Sequence, residues 1–590
     1  MKSKGFFSFL KKHVEQIIVF LLLAGFLLFY LYIISKTFYI DPEGNIRTAF
    51  SGFGDIPLHL SQITKFAFDK LNNLNEPIFA GSKLQYPFLI NLFSGLLLRL
   101  TNSWTFSVLL PPMLLSVGSL ILMYLIYKRF LKKSLITFLA IIVFFFGSGM
   151  GAYRYIETAV VENQSARQVF DDLLVNNRST IIELDKIYPD QNIVYGAPIT
   201  LTIHQRPFFI GFFAFVLLMF LMIRILDGSK SKFTLILAGI VYALMPIAHM
   251  HTFIAATILL TLIFIIQVAR RHEPTVGKIF FVVLIGVILA LPQVIYLTSG
   301  KDVLHSSASF ISYRLGWMTE PSIGSINFGS SLHSVFTKDF IKFCWVNFGI
   351  ILPLFILCSL GAFLPQRFLK KYLSSDEIYY FKLFSFSGLI LFLLVQMFRF
   401  QPWDFDDNKI LIYYQFFAVP IIFFVLKKLF DTWNVVGTLI IILFFVVASY
   451  SGVVDQVFRV GVEPNTMPVI FEQSARNLST YILKNIPEND LILTGTTHLN
   501  PVASLAGRPV LVGFPGWLWT RGIDYSQREQ DLRIFYLDPL KSNWVIKKYD
   551  FKYILIDNQA VSEFKADRDI FDKYFLIIFS QGQYTLYKIK

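Results

Sequence analysis

Charge is scarce in this chain. Only 16% of its 590 residues are Asp, Glu, Lys or Arg, against roughly 25% in a soluble protein. With 55% hydrophobic residues, 17% aromatic and 64 phenylalanines, a water-soluble globule is excluded and a polytopic membrane protein is indicated. Cysteine is almost missing. Cys344 and Cys358 share one apolar block and lie about 20 Å apart along a helix, too far for a disulfide. No Gly-x-Gly-x-x-Gly or phosphate-loop spacing occurs, which sets aside a nucleotide site. Acid is scarcer than base, for a net charge of +14. The excess sits in short turns between apolar blocks, as membrane topology demands, so nucleic acid is not read as a partner. Internal repeats and low-complexity tracts are lacking as well.

What is present is a series of apolar blocks. Those long enough to span fall at 16–35, 106–127, 134–149, 207–226, 233–248, 252–268, 279–297, 341–363, 381–397, 410–425 and 433–450, about eleven helices. The first follows Lys2, Lys4, Lys11 and Lys12 and lacks a small-residue cleavage site, so it reads as an uncleaved helix. A further piece, 88–100, decides the topology. If it does not span and the N-terminus is cytoplasmic, five short turns fall inside: Lys128 to Lys133, Arg224 to Lys232, Arg270 to Lys278, Arg367 to Lys371, and Lys427-Lys428. All are basic, as the positive-inside rule asks. At about 13 residues the piece suits an interfacial helix better than a span.

The consequence is that the long polar loops, 36–105, 150–206, 298–340 and 399–409, share the outer face. The chain therefore divides into a transmembrane domain, 1–452, and an extracytoplasmic domain, 453–590. In the latter, strand-like runs at 491–494, 509–512, 553–556, 575–579 and 584–587 alternate with helical stretches at 471–483 and 526–535, the pattern of a small α/β domain. The expected location is a cell membrane, multi-pass, with a cytoplasmic N-terminus.

Candidate chemistry gathers in the outer loops. Asp55 follows Gly54 at the start of a helix, and His59 lies four residues on, on the same side of its first turn. Asp55 reads either as a helix cap or as a general base. Asp41 and Glu43 emerge just after the first span, where Asp41 shares the site or marks the water-facing end. Arg206 begins a span and suits a phosphate, or snorkels. His249 and His251 occupy a tight outer turn. At i, i+2 they do not face one another on a helix, so they suit a hydrogen-bonding role rather than a metal. The densest polar cluster is 401–409. There Asp404 and Asp406 suit a divalent cation such as Mg or Mn; the alternative is that Asp407 and Lys409 pair and present Lys409 to a phosphate. Trp403 stacks on a sugar or lies at the interface.

This arrangement resembles the C-type (GT-C) integral-membrane glycosyltransferases. The resemblance rests on the first outer loop, with Gly54-Asp55-Ile56-Pro57-Leu58-His59 and then Leu84-Gln85-Tyr86-Pro87-Phe88. It rests also on the short basic inner turns and on the closing α/β domain on the same outer face. It implies a GT-C-like fold, a polyprenyl-phosphate-linked sugar donor, and a glycan, lipid or protein acceptor at the outer face. Asp55 would be the catalytic first-loop carboxylate of a hexosyl- or pentosyltransferase. The Trp-Trp-Asp-Tyr-Gly signature of oligosaccharyltransferases is absent, and no Asp-Glu pair follows the first helix as in protein mannosyltransferases. Two other classes compete. A transporter or lipid flippase predicts mid-span charges, broken helices and a repeat; a non-catalytic envelope assembly protein predicts an outer domain that recognises a partner.

Overall fold

The computed structural model describes residues 2–49, 52–174, 197–299, 311–313, 338–400, 404–432, 434–461 and 463–589. The chain opens with α1 (Lys2–Ser35), the hairpin β1 (Tyr39–Ile40) and β2 (Ile46–Arg47), and α2 (Ile56–Phe68). Then follow α3 (Leu89–Thr101), α4 (Trp104–Leu131) and α5 (Ser134–Phe146). Among the described residues, eight helices are long and apolar enough to cross a membrane. They are Val14–Ser35 within α1, α4, Arg206–Leu226, Met250–Ala269, Glu273–Thr298, Ser375–Met397, Asn408–Thr432 and a last one from Val435. These are eight of the eleven blocks expected.

The other three blocks are short or broken, each for a local reason. α5 stops at Gly147, where an added Cβ would meet the Val143 carbonyl. The carbonyls it leaves unpaired at Phe144 and Gly147 accept from Gln415 Nε2 at 2.9 and 3.1 Å, as a buried helix end requires. The 233–248 block ends its helix at Ala243 and resumes as Met245–Ala248, with Pro246 in the new first turn. The 341–363 block is split into Lys338–Phe348 and Ile351–Leu360 at Gly349, whose φ of +52° favours glycine.

Helix Asn408–Thr432 is the axis of the bundle. From Asn408 to Phe424 every residue is buried, because helices 375–397, 351–360, 434–461, α4 and α5 surround it. Its rings interlock with theirs: Phe416 lies edge-on to Phe144 and Phe215, and Tyr414 to Phe348 and Phe355. At one end of the bundle, three of the turns expected to be basic meet one another and the start of helix Ser375–Met397. Arg129 bridges Asp227 and Asp376, Lys132 and Lys428 both reach Glu377, and Lys133 and Lys427 reach Asp431. That convergence puts Asp55, Arg206, His249 and Asp406 at the opposite end. α3 has 13 residues, a rise of about 20 Å, short of the roughly 30 Å hydrocarbon core. It buries Ile90, Asn91, Ser94, Gly95 and Leu98 against the bundle and leaves Phe93 and Leu100 exposed.

The C-terminal region is stitched onto the first loop. The last long helix runs to Gly461, past position 452. β5 (Val469–Phe471) then pairs antiparallel with β2, Ile46 opposite Phe471, to make a three-stranded sheet β1-β2-β5. A two-stranded piece joins β3 (Ser312–Tyr313) to β4 (Phe398–Arg399). The main sheet has the order β6-β7-β9-β8, with β6 (Ile492–Leu493) parallel to β7 (Tyr553–Ile556). β9 (Tyr584–Lys588) is antiparallel to both β7 and β8 (Leu576–Gln581). The run at 509–512 is not a full strand. Val510 bridges Ile492, and its N–H donates to the Pro77 carbonyl. Ala80 and Gly513 complete this ladder, so the segment 77–80 pairs with 510–513. Gly507, with φ +61°, lets the backbone lie against Lys65 of α2, where a Cβ would stand 2.6 Å from the Lys65 nitrogen.

One buried ion pair locks this junction: Arg521 Nη1 to Glu76 Oε2 at 2.5 Å, both nearly inaccessible. Glu76→Ala leaves an unmatched buried guanidinium and is expected to cost about 3–5 kcal/mol. Lys132→Ala, which breaks a half-exposed pair, should cost at most about 1 kcal/mol. Thermal unfolding of the two detergent-solubilised variants compares them; equal shifts would remove the pair from its locking role.

Candidate active site

Asp55 sits at the N-cap position of α2. Its N–H donates to Gly52 at 3.2 Å and its carbonyl accepts the first helical bond, from His59, also at 3.2 Å. Pro57 in the first turn suits a helix start. A capping aspartate normally takes an extended backbone and turns its carboxylate onto the N2 or N3 amide. Asp55 does neither: its φ and ψ are −104° and −31°, and its side chain makes no cap hydrogen bond. The carboxylate faces Gln205 instead, whose Nε2 donates to Oδ2 at 3.4 Å. The capping alternative therefore does not hold.

The half-buried Asp55 carboxyl is pushed up to about 6. Burial is the main cause and the neighbouring Asp406 carboxylate adds to it, while the Lys409 ammonium opposes. Tyr86 lies within the same field: burial and then the Asp55 charge push its hydroxyl up. Arg521, from the C-terminal region, stands 4.9 Å over the Tyr86 ring.

His59 is not a second working group beside Asp55. It is 1% exposed, and its Nδ1 accepts from Asn91 Nδ2 at 3.1 Å. Burial, with the Arg206, Arg521 and Lys409 charges, holds it well below the usual histidine range, hence neutral. Asn91 is fully used. Its other amide hydrogen goes to Gln62 Oε1 at 2.7 Å, and its oxygen accepts from Arg206 Nε at 3.0 Å. Arg206 also donates to the Val108 carbonyl at 2.6 Å and to the Ser94 hydroxyl. Its guanidinium is thus turned into the bundle, where it ties α3 and α4 to its own helix. It does not snorkel.

The 404–409 segment joins the site by its second half. Lys409 Nζ pairs with Asp406 Oδ2 at 2.8 Å, so Asp406, not Asp407, is its partner. Asp407 Oδ2 accepts from the Phe400 N–H at 3.1 Å, and Oδ1 lies 3.8 Å from His251 Nε2. Trp403 and the Asp404 side chain lie outside the described residues. Asp406, the described half of the expected cation pair, carries the Lys409 ammonium. No cluster of three or more His, Cys, Asp or Glu able to hold a metal occurs among the described residues.

His249 and His251 do come together, contrary to the helical spacing argument. Their ring centroids are 5.4 Å apart. His249 is not helical: with φ −166° and ψ 112° it caps helix Met250–Ala269 at the break after Met245–Ala248. Its Nδ1 meets the Thr252 hydroxyl at 2.8 Å, which in turn meets Tyr413. Asp41 serves its own hairpin. It accepts from Asn45 at 2.7 and 3.1 Å and from Arg47 Nε at 2.7 Å. Burial there is outweighed by those bonds, which hold its carboxyl below the usual range.

Sequence reasoning gives no site role to Gln205, Asn91 or Glu76, and Tyr86 enters it only as part of the first-loop motif. Arg521 falls in a run, Trp519 to Arg528, whose mix of aromatics, arginines and acid reads either as a place for carbohydrate or phosphate contacts or as an ordinary loop and cap.

Fold and site together define a polytopic helical membrane protein with a carboxylate site at one end of its bundle, roofed by an α/β region. No family model matches the chain, and no curated protein matches it. Among solved structures it is similar to the oligosaccharyltransferase AglB of Archaeoglobus fulgidus in complex with an inhibitory peptide and a dolichol-phosphate. That likeness has TM-score 0.49 and 12% identity, over 98% of this chain and 75% of that one. It is also similar to ArnT of Cupriavidus metallidurans in the apo state, TM-score 0.48 and 8% identity, over 97% and 98%. The functional reading rests on the site itself.

Asp55 binds a proton more tightly in the folded than in the unfolded chain, so it weakens the fold as pH rises. Asp55→Asn is expected to stabilise the protein by about 1–3 kcal/mol above pH 6, a gain that fades as pH falls from about 6 to about 4. Thermal melts of the two proteins across that range check it; a gain that does not change with pH would contradict the raised pKa.

Proposed function

We propose that the chain is a membrane glycosyltransferase, moving a sugar from a polyprenyl-phosphate-linked donor to an acceptor at the bundle end that carries Asp55. The carrying observation is that Asp55, placed to cap a helix, is uncapped, half-buried and poised at about 6. A base of that strength is largely ionised at neutral pH and still accepts a proton readily. In the proposed reaction the acceptor hydroxyl gives its proton to the Asp55 carboxylate as its oxygen attacks the anomeric carbon. The bond from that carbon to the phosphate oxygen breaks, and its electron pair leaves with polyprenyl phosphate. A single displacement inverts the anomeric carbon.

The leaving phosphate needs positive charge rather than a proton. Lys409 supplies it directly, by exchanging Asp406 for the phosphate. Arg206 acts at one remove: it holds Asn91, and through it α2, and its charge has only neutral acceptors around it. The convergence of basic turns at the other end supports an outer-face site with the N-terminus inside.

Asp55→Asn and Asp55→Ala, in proteoliposomes supplied with a labelled polyprenyl-phosphate sugar, should each lower transfer by about 10²–10⁴-fold. Full transfer by both variants would end the assignment.

A further inference from the structure

A row of rings leads away from Asp55 along the seam between the first loop and the C-terminal region. Phe53, two residues before Asp55, lies edge-on to His498 at 4.8 Å between centroids. His498 meets Phe514 at 5.5 Å, and Phe514 meets Trp517 at 5.4 Å. The first three are half-exposed, with Pro515 and Gly516 beside them, whereas Trp517 is buried beneath. Gly54, between Phe53 and Asp55, is exposed and would have nothing within 4 Å of a Cβ, so the chain beside Asp55 is open to solvent.

The row is rigidly mounted. Phe514 follows Gly513, whose N–H donates to the Ile78 carbonyl at 2.7 Å, in the ladder that joins 77–80 to 510–513. Burial lowers the basicity of His498, so its ring stacks as a neutral aromatic.

We propose that Phe53, His498 and Phe514 form a stacking platform for the acceptor, and that the acceptor is therefore a saccharide. This rests on the glycosyl-transfer reading. The C–H groups on the apolar face of a pyranose carry partial positive charge and meet the negative faces of aromatic rings, leaving the hydroxyls at the rim free to reach Asp55. A peptide fits less well. An extended peptide binds by adding backbone hydrogen bonds to a free strand edge, but the amides of Ala80, Val510 and Gly513 beside the row are already paired. A lipid tail fits less well again, because the row ends at the charged group formed by Asp55, Asp406 and Lys409, a costly neighbour for hydrocarbon.

The test uses the full chain in detergent, with Trp517 as the fluorescent reporter beside Phe514 and Trp517→Phe to assign the signal. Maltotetraose, chitotetraose and mannotetraose are titrated separately. At least one should give a saturable change, weakened about tenfold in Phe514→Ala and kept in Phe514→Trp. No response to any of the three overturns the platform, as does equal binding by Phe514→Ala with an unchanged melting temperature. Transfer to an asparagine-bearing peptide that is indifferent to Phe514→Ala overturns it while leaving the glycosyl-transfer reading intact. Saccharide binding with no transfer from any polyprenyl-phosphate sugar supports the platform and fails that reading.

Discussion

The buried guanidinium of Arg206 is the constraint on which the site's geometry depends. A cation taken out of water must be met by hydrogen bonds, and here three neutral acceptors meet it: Asn91, Ser94 and the Val108 carbonyl. Two of these lie on α3, a helix too short to span. Without the guanidinium the buried Asn91 oxygen and Ser94 hydroxyl of that helix would lose the donor that meets them inside the bundle. Asn91 passes the constraint on to His59 and Gln62 of α2. α2 begins one residue after Asp55, so the orientation of the candidate base follows from a cation on another helix.

The same logic governs the roof. The C-terminal region does not stand apart; it completes sheets and ladders begun in the first loop, through β2 with β5 and 77–80 with 510–513. Arg521 crosses the junction to pair with Glu76 and cover Tyr86. The broken helices contribute in turn. Where the 233–248 block stops short, His249 is left outside helical geometry and turns toward His251. Ionisable groups thus gather at one end of an otherwise apolar bundle, where the field of each sets the charge state of the next.

Much of this was legible in the sequence because the bilayer simplifies it. Runs of apolar residues gave eight full spans, and the split of basic turns from acidic loops gave the two ends. The short β runs 553–556 and 584–587 appear as β7 and β9 within a residue of their expected limits. The rest was hidden for physical reasons. Gly349 and Pro246 break helices whose hydropathy looks continuous. Local spacing placed His59 beside Asp55 on one helix face, but Asn91, thirty-two positions on, takes its ring nitrogen. For Arg206 local sequence offers a phosphate or the membrane interface, whereas long-range packing supplies three acceptors. Arg521 and Glu76 lie 445 positions apart, and only the fold brings them together.

The central claim is that Asp55 works as a base poised by its surroundings, and the pH dependence of transfer addresses it most directly. In proteoliposomes, kcat/KM for a polyprenyl-phosphate sugar should fall below an apparent pKa of about 6. Asp406→Asn removes a repelling carboxylate and unpairs the Lys409 ammonium, so that limb should move to lower pH. A rate flat between pH 5 and 7, or a limb that Asp406→Asn leaves in place, would contradict the account.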